Sequence, residues 1–416
     1  MTLSLGTLIQ VFGRIGLLSF GGPAAQIALM HDILVTKEKW LTEDQFLRAL
    51  SLCMLLPGPE AMQLCTYAGW RLRGVTGGII AGGLFVLPGA LVIFGLAFLY
   101  LHFGNLPAVQ AAFLGIKATV IVVVIQALLR LGSKALSGPS AWALAGLAFV
   151  SLFVFGVAFP VIIIASALFG ALTYRDQATS VPETVQMSWP LRTIAVWGGL
   201  WALPFVILLA LEQDFLLQIA TFFSKLAVVT FGGAYAVLAY MTQQVVQDFG
   251  WITTGEMIDA LGLAETTPGP LILVTQFVAI LAGHGQGAVP GALMAGGIAL
   301  WVTFVPCFLW IFVAGPFLDQ LAARPRLSSS LEAITAAVVG VILNLSVWFA
   351  LHVLFFEVGS HGTLSLPIPD VFSVDAAALL LTIGAAVLLL GFKLGLPLTL
   401  AVMAASGLAL QMVGLS

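Results

Sequence analysis

WLTEDQFLRALSLCMLLPGPE at residues 40–60 and WITTGEMIDALGLAETTPGPL at 251–271 are one segment written twice. Trp40 aligns with Trp251, and Pro57-Gly58-Pro59 with Pro268-Gly269-Pro270, at a constant offset of 211 residues. The register continues upstream without a gap, where FGRIGLLSFGG at 12–22 lies over FSKLAVVTFGG at 223–233. A single register across two blocks marks an internal duplication. Weaker echoes follow at an offset of 218, with Ile116, Ala118 and Gln126 facing Ile334, Ala336 and Asn344.

The repeated unit is a membrane unit. Of 416 residues, 61% are hydrophobic and 8% charged, against about 25% charged in a soluble domain. One soluble core cannot hide that much apolar surface. A net charge of −3 without a basic run argues against a nucleic-acid partner. The three cysteines, Cys53, Cys65 and Cys307, lie in apolar stretches without metal-ligand spacing and read as buried apolar residues. The N-terminus carries no pattern of a cleavable signal peptide.

Windows of about 20 apolar residues mark spans near 5–30, 46–70, 75–103, 107–132, 139–155 and 157–174, and a separate one at 193–211. A second series follows near 215–245, 256–283, 288–318, 327–355, 374–391 and 394–412. The expected fold is an all-α polytopic membrane protein of about thirteen spans, with helices broken at the PGP motifs. Residues 1–175 form the first repeat, 176–214 a polar linker with the connecting span, and 215–416 the second repeat. An odd span between the repeats inverts one against the other, a transporter architecture with its site near the midplane.

With the N-terminus inside, Arg71, Arg73, Arg130, Lys134, Arg175, Arg192, Arg324, Arg326 and Lys393 fall on the cytoplasmic side. The loop with Glu357, His361, Asp370 and Asp375 falls outside, and Lys37 and Lys39 are exceptions. A re-entrant hairpin over 46–56 and 59–70 is the alternative that accounts for those two lysines.

The candidate site follows from what lipid forbids. Two prolines around a glycine break a helix, and freed backbone groups survive only against protein or a water-filled cavity. A half-helix beginning there offers N–H groups and a positive dipole end to an anion. Pro57, Gly58, Pro59, Pro268, Gly269 and Pro270 are therefore candidate substrate-binding residues. Phe20-Gly21-Gly22 and Phe231-Gly232-Gly233 make the same case, beside an equal reading as close helix packing. Arg14 and Lys225 occupy equivalent repeat positions within spans, where a cation is costly. Together they predict a cationic centre for a dianion, with snorkelling to an interface as the alternative. Glu60 and Glu265, beside the two PGP turns, are candidate proton carriers, or silent partners of Lys117 or Arg48. No nucleophile elbow, Walker loop, dinucleotide fingerprint or zinc-protease motif occurs, so neither catalysis nor ATP drive is expected.

FGGPAAQI at 20–27, LPGPEAMQL at 56–64, GWRLRG at 69–74, and the echoes FGGAYAVL and TTPGPLILVTQF resemble the chromate ion transporter superfamily in its long, two-half form. The resemblance covers essentially the whole chain. It implies efflux of chromate across the bacterial inner membrane, chromate resistance, and competition by sulfate. The second half departs at Ala234 for Pro23, Val237 for Gln26 and Leu271 for Glu60, so a site using those groups is asymmetric. Chromate and membrane lipid are the expected partners, with sulfate and a homodimer left open; no metal or cofactor is expected. A carrier of sulfate or another oxyanion is the alternative function, ahead of an intramembrane enzyme or receptor.

Overall fold

The computed structural model describes residues 3–173, 190–231, 234–318, 325–360 and 367–414. Residues 176–189 of the expected linker, with Gly232, Gly233, Arg175, Arg324 and His361, lie outside the described residues. The described chain is helical apart from a short ribbon. In order come α1 (Leu5–Leu18), α2 (Gly22–His31), α3 (Glu43–Leu55), α4 (Glu60–Phe103), α5 (Pro107–Ala135), α6 (Pro139–Phe153) and α7 (Phe159–Thr173). Then follow α8 (Leu191–Ala210), α9 (Asp214–Val229), α10 (Ala234–Thr242), α11 (Thr254–Thr266) and α12 (Val274–Ala314). The last are α13 (Pro325–Leu354), α14 (Ala376–Ala386) and α15 (Leu396–Met412). Among the described residues, five helical stretches are long and apolar enough to cross a membrane, and shorter apolar helices accompany them.

The duplication extends to fine detail. A π-helical turn extends α2 over Asp32–Lys37, and another extends α10 over Gln243–Asp248, again 211 residues on. Thr42 caps α3 in a full capping box with Gln45. Its counterpart Thr253 exchanges bonds with Glu256 at the start of α11.

Two of the long helical stretches fold back on themselves. In α4 the backbone leaves helical geometry at Arg73 and Gly74, where Gly74 takes φ +63°. The Cys65 thiol then donates to the Ala81 carbonyl at 3.4 Å, a pair that a straight helix would hold about 24 Å apart. In α12 the break is at Gly287 and Ala288. Glycines make both hairpins tight. A Cβ on Gly69 would stand 2.3 Å from the Gly77 carbonyl oxygen, and one on Gly283 2.4 Å from that of Gly291.

The hairpins also correct the sequence register. α4 begins at Glu60 and α12 at Val274, an offset of 214 rather than 211. The three extra residues form the 3-10 turn Leu271–Leu273. Structurally, Glu60 therefore answers to Val274, not to Leu271.

The chain forms two compact units, each drawing segments from both sequence halves. One contains residues 1–95, 169–237 and 267–331. Here α8 packs on its neighbours through tryptophans. The Trp201 indole donates to Ser224 Oγ at 3.0 Å, and Trp301 donates to the Leu200 carbonyl at 2.7 Å. Leu203, Val206 and Leu209 face outward, as expected of a span against lipid.

The other unit contains residues 96–168, 238–266 and 332–416. α15 crosses α5 where both are stripped to glycine: a Cβ on Gly115 would lie 1.9 Å from the Met403 oxygen, and one on Gly407 2.1 Å from that of Ala111. Beside that crossing Ala118, Val122, Leu381, Ala385 and Met403 form a closed apolar cluster. Between α13 and α14, β1 (Val358–Ser360) pairs antiparallel with β2 (Pro367–Pro369). The fold is otherwise all-α, as expected, and this small ribbon lies in a loop that repeated prolines keep out of helix.

Candidate functional site

In the first unit the two kinds of broken helix meet, and they meet across the halves. α1 stops at Leu18 because Gly21 and Gly22 take φ +84° and +78°, open without strain only to glycine. α3 stops at Leu55, and Gly58 within PGP takes φ +118°; Gly269 in the second PGP takes φ +90°. The chain breaks thus free backbone groups in an apolar interior, where each needs a partner.

The partners are reciprocal. Gly58 N–H donates to the Thr230 carbonyl at 2.8 Å, and Gly269 N–H donates to the Ser19 carbonyl at 2.8 Å. Ser19 and Thr230 are equivalent in the repeat, as are Gly58 and Gly269. The first half's PGP is therefore pinned by the residue preceding the second half's FGG, and the reverse. Such exchange is the signature of a local two-fold relation. The Ser19 and Thr230 hydroxyls turn back to Ile15 and Leu226 carbonyls, each at 2.6 Å, and leave their own carbonyls to the glycines.

Side chains break the symmetry. Gln26, 2% exposed, donates from Nε2 to the Gly269 carbonyl at 2.7 Å and reaches the Ser19 carbonyl at 3.4 Å. Val237 stands at its equivalent and has no such capacity. Gln63, fully buried, donates to the Pro57 carbonyl at 2.6 Å. Among the described residues, the carbonyl oxygens of Gln63 and Gln276 and the Thr303 hydroxyl are buried without a hydrogen-bond partner. Unmet polar atoms in an apolar interior are costly, and they mark where a polar guest or water fits. Cys307 adjoins this loop: a Cβ on Gly58 would come 3.0 Å from its sulfur.

The sequence-predicted residues divide accordingly. Gly58, Pro59, Pro268, Gly269 and Pro270 are buried, while Phe20, Gly21, Gly22, Pro57 and Phe231 are half-buried. Glu60 begins α4 half-buried, and Glu265 is buried near the end of α11. Arg14 and Lys225 both sit on exposed faces of α1 and α9. Each is part of an exposed polar stripe at repeat-equivalent positions, Thr7–Gln10–Arg14 on α1 and Gln218–Thr221–Lys225 on α9. Both cations therefore lie on exposed faces and not among the buried residues of the junction.

The second unit holds an ion pair that the sequence reading did not identify. Lys117 Nζ lies 2.8 Å from Asp259 Oδ1, and the Tyr100 hydroxyl donates to Asp259 Oδ2 at 2.7 Å. Among the described residues Lys117 thus pairs with Asp259, and Arg48 pairs with Asp44 one turn earlier at 2.9 Å. The available signal was a carboxylate inside the apolar run MIDALGL, where the first half has Arg48. Among the described residues no cluster of His, Cys, Asp or Glu is arranged to hold a metal.

Comparison with known proteins places this architecture. The family model described as Chromate transporter matches residues 6–171 and 217–410, one stretch in each half. The chromate transport protein of Pseudomonas aeruginosa is 33% identical over 347 residues, covering 82% of this chain and 80% of that protein. The probable chromate transport protein of Synechococcus elongatus is 30% identical over 341 residues, covering 82% and 83%. The chromate transport protein of Cupriavidus metallidurans is 27% identical over 341 residues, covering 82% and 81%. No solved structure matches.

Proposed function

The chain belongs to the chromate transporter family, and from that premise we propose that it exports chromate from the cytoplasm across the bacterial inner membrane, conferring chromate resistance. It is a multi-pass membrane protein, and a carrier rather than a catalyst. The observation that carries the reading is the reciprocal junction of broken helices, Gly58 with Thr230 and Gly269 with Ser19. Two pseudo-equivalent half-helix starts beside buried, unmet polar atoms suit a small polar ion that binds and leaves.

The polar stripes give the ion its route. A cation about ten residues into a span does not face hydrocarbon at tolerable cost. Arg14 and Lys225 therefore line water-accessible flanks leading to the FGG and PGP breaks, one in each half. Arg14, with its planar fork, takes two oxygens of a tetrahedral dianion, while Lys225 offers a point charge. Glu60, at the start of α4 beside the first break, is the candidate proton carrier there, with Glu265 its candidate in the second half.

The energy source is the membrane potential. About 100 mV, negative inside, contributes roughly 2.3 kcal/mol per charge, hence about 4.6 kcal/mol for an outgoing dianion. Export then needs no ATP. The direct test is uptake of labelled chromate into everted membrane vesicles carrying the chain. Accumulation above vesicles lacking it, reduced by excess sulfate, is expected. Uptake equal to the control would refute the reading.

A further inference from the structure

We propose that Asp259 and Lys117, steadied by Tyr100, form a second oxyanion station that opens only when Asp259 takes up a proton. This rests on the transport reading above and adds to it a proton-linked step in the other compact unit.

Lys117 lies ten residues beyond Pro107, the start of α5, about 15 Å along the axis of a helix long and apolar enough to cross a membrane. α11 packs directly against α5 around this point: a Cβ on Gly262 would stand 2.9 Å from the Ile116 side chain. Asp259 is 11% exposed at its side chain and Lys117 22%, so the pair is enclosed but not sealed. The charged and titratable groups facing Asp259 among the described residues are Lys117 from α5, Tyr100 from the end of α4, and Glu256 one turn earlier on α11. Intramembrane ions that pair with one another mark ion pathways more often than scaffolding.

The arrangement suits competition. An ammonium has three donors, and Asp259 Oδ1 engages Lys117 at 2.8 Å. A dianion approaching Lys117 meets the Asp259 carboxylate as a like charge a few ångströms away, so the two exclude one another while Asp259 is ionised. Protonation removes that conflict. The proton comes from the aqueous phase onto a carboxylate oxygen; Lys117 keeps its charge and turns to the oxyanion, and the Tyr100 hydroxyl still holds the neutral side chain. When the anion leaves, the proton leaves too and the ion pair re-forms. One proton and one anion are thus bound together, with no covalent change.

The repeat equivalents of Asp259 and Lys117 are Arg48 and Thr335, which cannot make such an ion pair. The station binds one proton with each anion it takes.

The test uses the full chain, purified in weakly buffered detergent at a pH where chromate is a dianion, with a pH-indicating dye. Chromate binding to the wild-type protein is expected to take up close to one proton per anion bound. Asp259→Asn, which mimics the protonated state, should bind chromate with no proton uptake and with affinity that no longer falls as pH rises. The double variant Lys117→Gln/Asp259→Asn leaves no unpaired buried charge, so it keeps the fold testable; it should lose at least tenfold in affinity and take up no proton. Proton uptake persisting in Asp259→Asn, or a double variant with wild-type affinity and pH profile, would reduce the pair to a structural clasp. Chromate uptake into vesicles that persists alongside either result would leave the transport reading standing. Wild-type protein that neither binds nor moves chromate would overturn both.

Discussion

The two halves make the same break in the chain and surround it with different side chains. Gly58 and Gly269 donate to equivalent carbonyls at equal distance, and the π-turns recur at the same offset. Yet Gln26 is answered by Val237, Arg14 by Lys225 and Arg48 by Asp259. Duplication preserved backbone geometry, because every freed N–H in an apolar interior must be met in both copies. Side-chain chemistry diverged, because no backbone group depends on it being the same in both copies.

The backbone symmetry breaks most sharply at its glycines. Alanine at Gly58 must adopt φ +118° and push a methyl to 2.8 Å from Gln63 and 3.0 Å from Cys307. Strain and overpacking together cost about 3 kcal/mol. The thermal transition of Gly58→Ala in detergent should fall well below wild type. Gly269→Ala, with its nearest contact at 3.1 Å from Leu273, should fall less. Equal transitions for wild type and both variants would deny the junction its role.

The cations should separate next. Arg14→Gln is expected to lose about 1–3 kcal/mol of anion binding, roughly 5- to 150-fold in affinity, and to abolish chromate resistance while still inserting. Arg14→Lys keeps the charge without the fork and should retain partial function. Lys225→Gln should be milder. Normally expressed variants with wild-type chromate affinity would make both residues interfacial anchors.

Gln26 tests the asymmetry itself. Gln26→Leu leaves the Gly269 carbonyl without its side-chain donor and should cost about 1–2 kcal/mol, read as a lowered unfolding midpoint. Stability at the wild-type level would show that the second half's arrangement, with Val237, is sufficient in both. The smallest effect belongs to Glu60→Gln, which should alter the pH profile of transport and leave chromate affinity unchanged. An unaltered profile would make Glu60 structural.

Much of this was legible in the sequence because it was written twice. The paired FGG and PGP motifs located the breaks, since glycine and proline leave the chain few options in lipid. What could not be read was which break meets which. That depends on how the repeats dock, and only the crossed bonds of Ser19 and Thr230 reveal it. The three-residue 3-10 turn after Pro270 shifted the register out of sight, because an insertion at a loop leaves no hydrophobic period to count. For Arg14 and Lys225, helical spacing alone cannot tell an enclosed face from an exposed one. Asp259 was passed over because its partner Lys117 lies 142 residues away, beyond any local pattern.

The central claim, export of a dianion down the membrane potential, is tested most directly by accumulation at a clamped voltage. Proteoliposomes holding the chain would be set to about 100 mV, lumen positive, by a potassium gradient and valinomycin, with labelled chromate outside. Two net charges predict an equilibrium gradient above about a thousandfold, and one coupled proton reduces that to about 50-fold. Reversing the voltage should expel the label in either case. Accumulation that ignores the sign and size of the potential would contradict the account.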